Sequence, residues 1–279
     1  MNQNVVVVGL GLIGGSLAKA FQKYSGCSVT GIDKDPQVIR AALKSGAIRR
    51  EAGPEDLANA DLLFLCLYPQ ADLDFLFGHA SSLHPGCIVT DVCGIKSCLS
   101  PQLAEIAADH GLIYIGGHPM AGKEKGGFAN SDADLFQGAS YLLVPCGAPR
   151  AAVDLMTEAA AELGFGQTVV TTPKKHDQEI AFTSQLPHAL ACAYVKSPRC
   201  RDHQGFSAGS YRDVSRVAAI NETMWAELFL DNREALTEEL DTLIGNLREI
   251  RDAIDARDEE TLRSLLRDGR LVKERLGEA

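Results

Sequence analysis

No apolar stretch of this chain approaches the ~20 residues that a bilayer-crossing helix requires. Residues 62–67 are typical of its runs. The apolar opening at residues 5–15 has no basic residue before it and is filled by Gly9, Gly11, Gly14 and Gly15, which argues against a signal-peptide core and for a strand with its turn. Positive charge is short: 27 Lys and Arg stand against 37 Asp and Glu in 279 residues, a net charge of −10. Neither half hides a basic unit, with 11 against 17 up to residue 170 and 16 against 20 beyond it. This balance argues against a nucleic acid or an anionic membrane as the main partner. The eight cysteines form no CxxC pair, and no His lies at zinc-ligand spacing, so neither a metal site nor a disulfide framework is expected. They read as reduced, mostly buried thiols of a cytoplasmic protein.

The first part of the chain alternates short apolar runs with amphipathic stretches. Strands are expected at residues 5–8, 27–32, 62–67, 87–90, 112–115, 141–144 and 167–170, and helices at 12–24, 36–45, 96–108 and 151–163. Continuous Val, Ile and Leu runs alternating with helices imply a parallel sheet buried on both faces. After Pro173, Gly and Pro thin out and bounded strand-length runs end, so the remainder reads as helical. Leu236, Leu240, Leu243, Leu247, Ile250 and Ile254 alternate spacings of four and three, the heptad seam of one long helix. Such a seam serves either as the core of one subunit or as a dimer interface.

Gly9, Gly11 and Gly14 form GxGxxG directly after a strand and at the start of a helix. The first glycine permits the tight turn, the second lets a pyrophosphate approach the backbone, and the third lets helix and strand pack closely, while free N–H groups at the helix start face the phosphates. Asp33 ends the second strand nineteen residues after Gly14, where a carboxylate accepts hydrogen bonds from ribose hydroxyls and repels a 2′-phosphate. Gly9, Gly11, Leu12, Ile13, Gly14 and Asp33 thus define a dinucleotide site that favours NAD over NADP, although Lys34 would tolerate the extra phosphate. The expected fold is α/β, a Rossmann-type dinucleotide-binding domain over residues 1–172 followed by an all-helical domain over residues 173–279, with a hinge near 171–175.

Three further clusters carry polar chemistry. GGHPMAGKEKGG (residues 116–127) follows a strand, at the carboxyl edge where such sheets bind ligands, and His118 within it suits an acid/base role or a simple bracing of its loop. Ser184, Gln185, Leu186, Pro187 and His188 fall in a helix that Pro187 should kink, leaving His188 facing the cleft or the core. Arg212 and Arg216 are four apart, a clamp for carboxylates on one helix face or a surface network with Asp213.

In this order, GLGLIGGSLA (residues 9–18), TDVCGIK (90–96), GGHPMAGKEKGG, SQLPHALA (184–191), YRDVSRVA (211–218) and NETMW (221–225) resemble the prephenate dehydrogenase family, which takes in the arogenate and cyclohexadienyl dehydrogenases of tyrosine synthesis. The resemblance implies an NAD(P)-dependent oxidative decarboxylation of a cyclohexadienol. In it the His of HPMAG takes the ring-hydroxyl proton as hydride leaves the same carbon, and loss of the ring carboxylate as carbon dioxide makes the ring aromatic. It assigns the base to His118, the substrate carboxylate to Arg216 with Arg212 in support, and the pocket lining to His188 and the Ser184 hydroxyl one turn before it. It further implies a homodimer interlocked through the C-terminal helices. With the chain ending at Ala279, no appended regulatory or mutase domain is expected.

Two departures accompany the resemblance. Many relatives carry Gly-Ser where Cys93 and Gly94 stand, the Ser hydroxyl assisting the catalytic His; Ser97 is the candidate replacement. Many carry Ser or Thr where Lys123 stands, five residues beyond His118. A cation there would bind a dianionic substrate and depress the His118 pKa, which tilts the expectation from arogenate toward prephenate, converted to 4-hydroxyphenylpyruvate. Glu124 would pair with Lys123 or with an arginine and so gate the pocket. Two rivals are β-hydroxyacid dehydrogenases or imine reductases, which rely on a catalytic Lys or Asp on the interdomain helix, and a regulatory protein that senses NAD without turnover.

Overall fold

The structure, a computed structural model, describes residues 3–123 and 125–277. Its first half runs β1 (Asn4–Val8), α1 (Leu12–Tyr24), β2 (Ser28–Ile32), α2 (Pro36–Lys44), α3 (Pro54–Ala58), β3 (Leu62–Leu65), α4 (Pro69–His79), β4 (Ile88–Asp91), α5 (Ser100–Asp109) and β5 (Ile113–Tyr114). These strands form a parallel sheet in the order β2-β1-β3-β4-β5. Four consecutive valines make β1 central. Val5 and Val7 pack with Phe21 and Phe64 on one face, and Val6 and Val8 with Leu63 and Leu65 on the other. The chain direction across the sheet reverses between β1 and β3, so the ligand crevice lies beyond their carboxyl ends.

The strands expected at 141–144 and 167–170 do not extend that sheet. They form a second one with β6 (Gly116–Pro119), in which β7 (Ser140–Val144) pairs antiparallel with β6 and parallel with β8 (Gln167–Val170), α6 (Arg150–Glu162) making the crossover. His118 accordingly stands on a strand, not on a loop. The helix expected from residue 96 starts only at Ser100, because Lys96 is turned inward.

The second half is helical: α7 (Pro173–Ile180), α8 (Leu186–Tyr194), α9 (Gly209–Ser215), α10 (Glu222–Asp231), α11 (Arg233–Asp255) and α12 (Glu259–Arg275). A π turn at Ala181–Gln185 joins α7 to α8, the Leu186 N–H reaching back five residues to the Ala181 carbonyl. It precedes Pro187, which has no N–H to give. The leucine seam divides. Leu236 is buried with Ala181 and Leu186, and Leu240 and Leu243 pack against them. Leu247 and Ile254 are 50% and 57% exposed. Among the described residues no helix is long and apolar enough to cross a membrane.

Candidate active site

Sequence dictates the glycine turn first. Gly9 has φ +88°, a conformation open to glycine, and its N–H donates to the Ile32 carbonyl at 2.8 Å. A β-carbon on Gly14 would lie 1.9 Å from the Gly9 carbonyl oxygen, so α1 meets β1 only without one; a β-carbon on Gly11 would meet nothing within 4 Å. Gly11 starts α1 with no side-chain cap and no acid in the first turn, which leaves the N–H groups that include those of Leu12 and Ile13 for an anion. Asp33 is fixed beside this turn, Oδ2 accepting from the Leu10 N–H and Oδ1 from the Asp35 N–H, both at 2.9 Å.

Across the crevice, the loop after β4 is organised by a buried ion pair. Lys96 Nζ donates to Asp91 Oδ1 at 2.8 Å and to the carbonyls of Cys93 and Ile95 at 2.6 and 3.2 Å. Tyr114 donates to the second Asp91 oxygen at 2.6 Å. Both Lys96 and Asp91 side chains are fully buried.

The folded loop presents the backbone N–H groups of Lys96 and Ser97 to Asp177 at 2.8 and 2.7 Å. Asp177 Oδ1 also takes the Nδ1 proton of its neighbour His176 at 2.7 Å, and His176 Nε2 lies 2.9 Å from His118 Nδ1. The tautomers follow from the donors. A carboxylate that must accept makes His176 Nδ1 the N–H, its Nε2 is then an acceptor, and His118 must donate from Nδ1. His118 Nε2 is left with a lone pair. Burial, then the Lys96 cation, then His176 hold the His118 pKa well below the ordinary histidine value. Burial raises Asp177, but the hydrogen bonds from His176 and Ser97 outweigh it and keep it below the usual carboxylate range.

This nitrogen lies near Gly94, which Leu228 also approaches. A β-carbon on Gly94 would stand 3.9 Å from His118 Nε2 and from Leu228 Cδ2. Leu228 lies on α10 one turn beyond Trp225, which stacks on His188 at 3.8 Å between ring centroids. His188 Nδ1 donates to the Ser184 carbonyl at 2.7 Å. α10 therefore carries both Leu228, near Gly94, and Trp225, which stacks on the His188 that the sequence pointed to. Arg216 lies just past α9, its N–H donating to the Arg212 carbonyl, so both arginines stay one helical turn apart, and their turn packs against α8. Among the described residues neither arginine side chain has a hydrogen-bond or ion-pair partner.

Other expectations change. Lys123 Nζ turns to Asp132 at 3.2 Å and to the Asn130 carbonyl at 3.3 Å, and the cation that depresses His118 is Lys96. Ser97 caps Asp177 instead of approaching the base, and the Cys93 thiol sits 3.2 Å from Asp72 Oδ2. Burial, then Asp91 and Asp72, push that thiol up, so it stays protonated. Glu124 lies outside the described residues. Sequence reasoning passed over His176 and Asp177, and quoted Asp91, Lys96 and Trp225 without a role. The adjacent acid and imidazole in KKHDQE were the one local signal.

A dinucleotide cradle with a neutral, deprotonated imidazole across the crevice is the site of a nucleotide-dependent oxidoreductase. Comparison with known proteins narrows this. The profile of the family "Prephenate dehydrogenase, nucleotide-binding domain" matches residues 17–169, and that of "Prephenate dehydrogenase, dimerization domain" matches residues 172–268. The chain belongs to the prephenate dehydrogenase family. It is 30% identical over 271 residues to the cyclohexadienyl dehydrogenase of Zymomonas mobilis, covering 93% of this chain and 91% of that one. Among solved structures, A. aeolicus prephenate dehydrogenase in complex with hydroxyphenyl propionate and NAD+ superposes with a TM-score of 0.87 at 25% identity, over 99% of each chain. Synechocystis arogenate dehydrogenase gives 0.84 at 26% identity, over 98% of this chain and 99% of that one. The fold is thus the expected Rossmann-type unit followed by helices, the chain is an NAD-dependent oxidoreductase by family, and a non-catalytic sensor has no support.

Proposed function

We propose that the protein oxidises and decarboxylates prephenate to 4-hydroxyphenylpyruvate with NAD, in the cytoplasm, as a homodimer through its C-terminal helices. The observation that carries the reading is the chain Asp177–His176–His118, which leaves His118 Nε2 as a fixed acceptor at the crevice mouth. His118 takes the proton of the ring hydroxyl, and the imidazolium formed is stabilised through His176 by the Asp177 carboxylate. When bound, NAD supplies the hydride acceptor for the carbon bearing that hydroxyl. Arg216, with Arg212, pairs with a substrate carboxylate, and His188 and Ser184 line the pocket with Trp225 behind them. Loss of the ring carboxylate then leaves its electron pair in the ring, which becomes aromatic. Gly9, Gly11, Leu12, Ile13 and Gly14 would hold the pyrophosphate and Asp33 the ribose hydroxyls.

We take residues 1–172 as the dinucleotide half and 173–279 as the substrate and dimerisation half. The exposed Leu247 and Ile254 on α11 and Leu266 and Leu276 around α12 support a second copy as their cover, together with the dimerisation-domain match. Lys123, held by Asp132, supplies little preference for prephenate, and arogenate is the alternative substrate. The test is NAD(P)H formation with prephenate and with arogenate, each paired with NAD and with NADP. Turnover of prephenate with NAD is expected; preference for arogenate would overturn the substrate assignment, and NADP preference the role of Asp33.

A further inference from the structure

Two buried amides lie behind the base and belong to no part of the reaction described so far. Asn232, at the junction of α10 and α11, is 6% exposed, and Gln185, the last residue of the π turn, is 2% exposed. Asn232 Nδ2 gives one proton to the backbone carbonyl of Asp177 at 2.9 Å and the other to Gln185 Oε1 at 2.7 Å. Gln185 Nε2 passes the link on to the Leu228 carbonyl at 3.0 Å. The wide turn sets up this contact: buried positions along the helix fall at 176 and 177, 180 and 181, then 185 and 186. The last step is the longer one, and it carries Gln185 onto the stripe that His176 and Ile180 already occupy.

The pair therefore grips three pieces of the site at once: the residue next to His176, the turn that leads into His188, and the carbonyl of Leu228, whose side chain approaches Gly94 as His118 does. Buried amides that satisfy one another in this way fix geometry, because every alternative leaves a donor or acceptor unpaired. We propose that Asn232 and Gln185 are positioning residues for the base, an amide clamp that ties α11 to the His176–Asp177 pair and to the Leu228 wall and so sets how tightly His118 is held and shielded from water. The proposal rests on His118 being the base. Among the described residues, the charged and titratable groups that act on His118 are Lys96 from the β4 loop, itself paired with Asp91, and His176 from α7, itself bonded to Asp177. Neither amide carries charge, so any change in His118 titration on altering them reports a change of geometry or hydration and not the removal of a charge.

The experiment compares the parent with Asn232→Leu and Gln185→Met, near-isosteric changes that remove the donors and the acceptor. His118 is titrated by NMR in each protein without substrate, and kcat, KM and NAD affinity are measured against pH with prephenate. The expected result is that the His118 pKa moves up toward the ordinary value of about 6.5, that the acid limb of kcat/KM moves with it, that kcat falls about tenfold, and that KM and NAD affinity stay within about threefold. Rates that fall only in proportion to folded protein, with the titration unmoved, overturn the proposal. Should Asn232→Leu fail to fold, Gln185→Met decides alone, since it leaves the Asn232 bond to Asp177 in place and cuts the link to Leu228. Absence of turnover in the parent would refute the proposed reaction, while the NMR titration would still decide on the clamp.

Discussion

Alanine at Gly11 and alanine at Gly14 should fail in different ways. At Gly14 the new β-carbon would sit 1.9 Å from the Gly9 carbonyl oxygen, and since β-carbon contacts under 3.0 Å essentially never occur, the turn must open by about 1.1 Å. The obstacle is backbone, so no flexible side chain can yield. Overpacking of this kind costs about 1–3 kcal/mol, which lowers the melting temperature by roughly 2–12 °C in a chain of this size. At Gly11 a β-carbon meets nothing within 4 Å, and an N-terminal Gly-to-Ala change costs under about 1 kcal/mol. That open space is where a pyrophosphate would lie. Displacing it by one charge-assisted hydrogen bond, about 1.5–3 kcal/mol, weakens NAD by about 10- to 150-fold. Thermal melts and NAD titrations on both variants separate the cases: Gly11→Ala should melt within about 4 °C of the parent and bind poorly, and Gly14→Ala should lose both. Parental NAD affinity in Gly11→Ala would remove the glycine turn from the cofactor site.

The acid limb of kcat/KM should fall below the ordinary histidine value, because the proposed active form of His118 is neutral and its pKa is depressed by burial, Lys96 and His176; a limb at or above about 6.5 would contradict the assignment. Arg216→Ala should raise KM for the substrate by roughly 10- to 150-fold, the loss of one charge-assisted bond, while NAD affinity holds; equal losses in both would point to damaged folding. Asp72 is fully buried, and burial, then Asp91, push its pKa up to about 7 from 3.8. The folded state thus keeps a proton that the unfolded chain releases near pH 4, so this contribution is complete below that point and is lost as the pH rises to about 7. The loss is about 4 kcal/mol. Asp72→Asn should be more stable than the parent at pH 8 and lack that slope, as denaturant unfolding at pH 5 and pH 8 would test.

The dinucleotide half was legible where pattern and chemistry coincide: the four valines of β1, the glycine turn and Asp33 announce themselves locally. α4 did not, because its apolar residues run together at Leu73, Phe75, Leu76 and Phe77, with Phe77 79% exposed and Asp72 buried, the reverse of an amphipathic face. β6 is Gly-Gly-His-Pro, with no strand propensity, and becomes a strand only by pairing with β7. Lys96 read as the start of a helix, since nothing in the sequence marks a lysine that folds back onto carbonyls of its own loop. The histidine relay was hidden for a similar reason. His118 and His176 are 58 residues apart, and only the docking of α7 on the β4 loop brings them together.

That docking also limits how the molecule can be divided. His118, the proposed base, stands on β6, and His176, which fixes its tautomer, on α7. The glycine half expressed alone would lack His176 and Asp177 and so hold a His118 imidazole free to carry its proton on either nitrogen. A chimera joining this half to the helices of a relative would work only where the incoming helix brought an imidazole and a carboxylate at the positions of His176 and Asp177. For this chain the junction between halves is a proton-bonded part of the chemistry, and exchange of modules across it is restricted by two side chains more than by the surface they share.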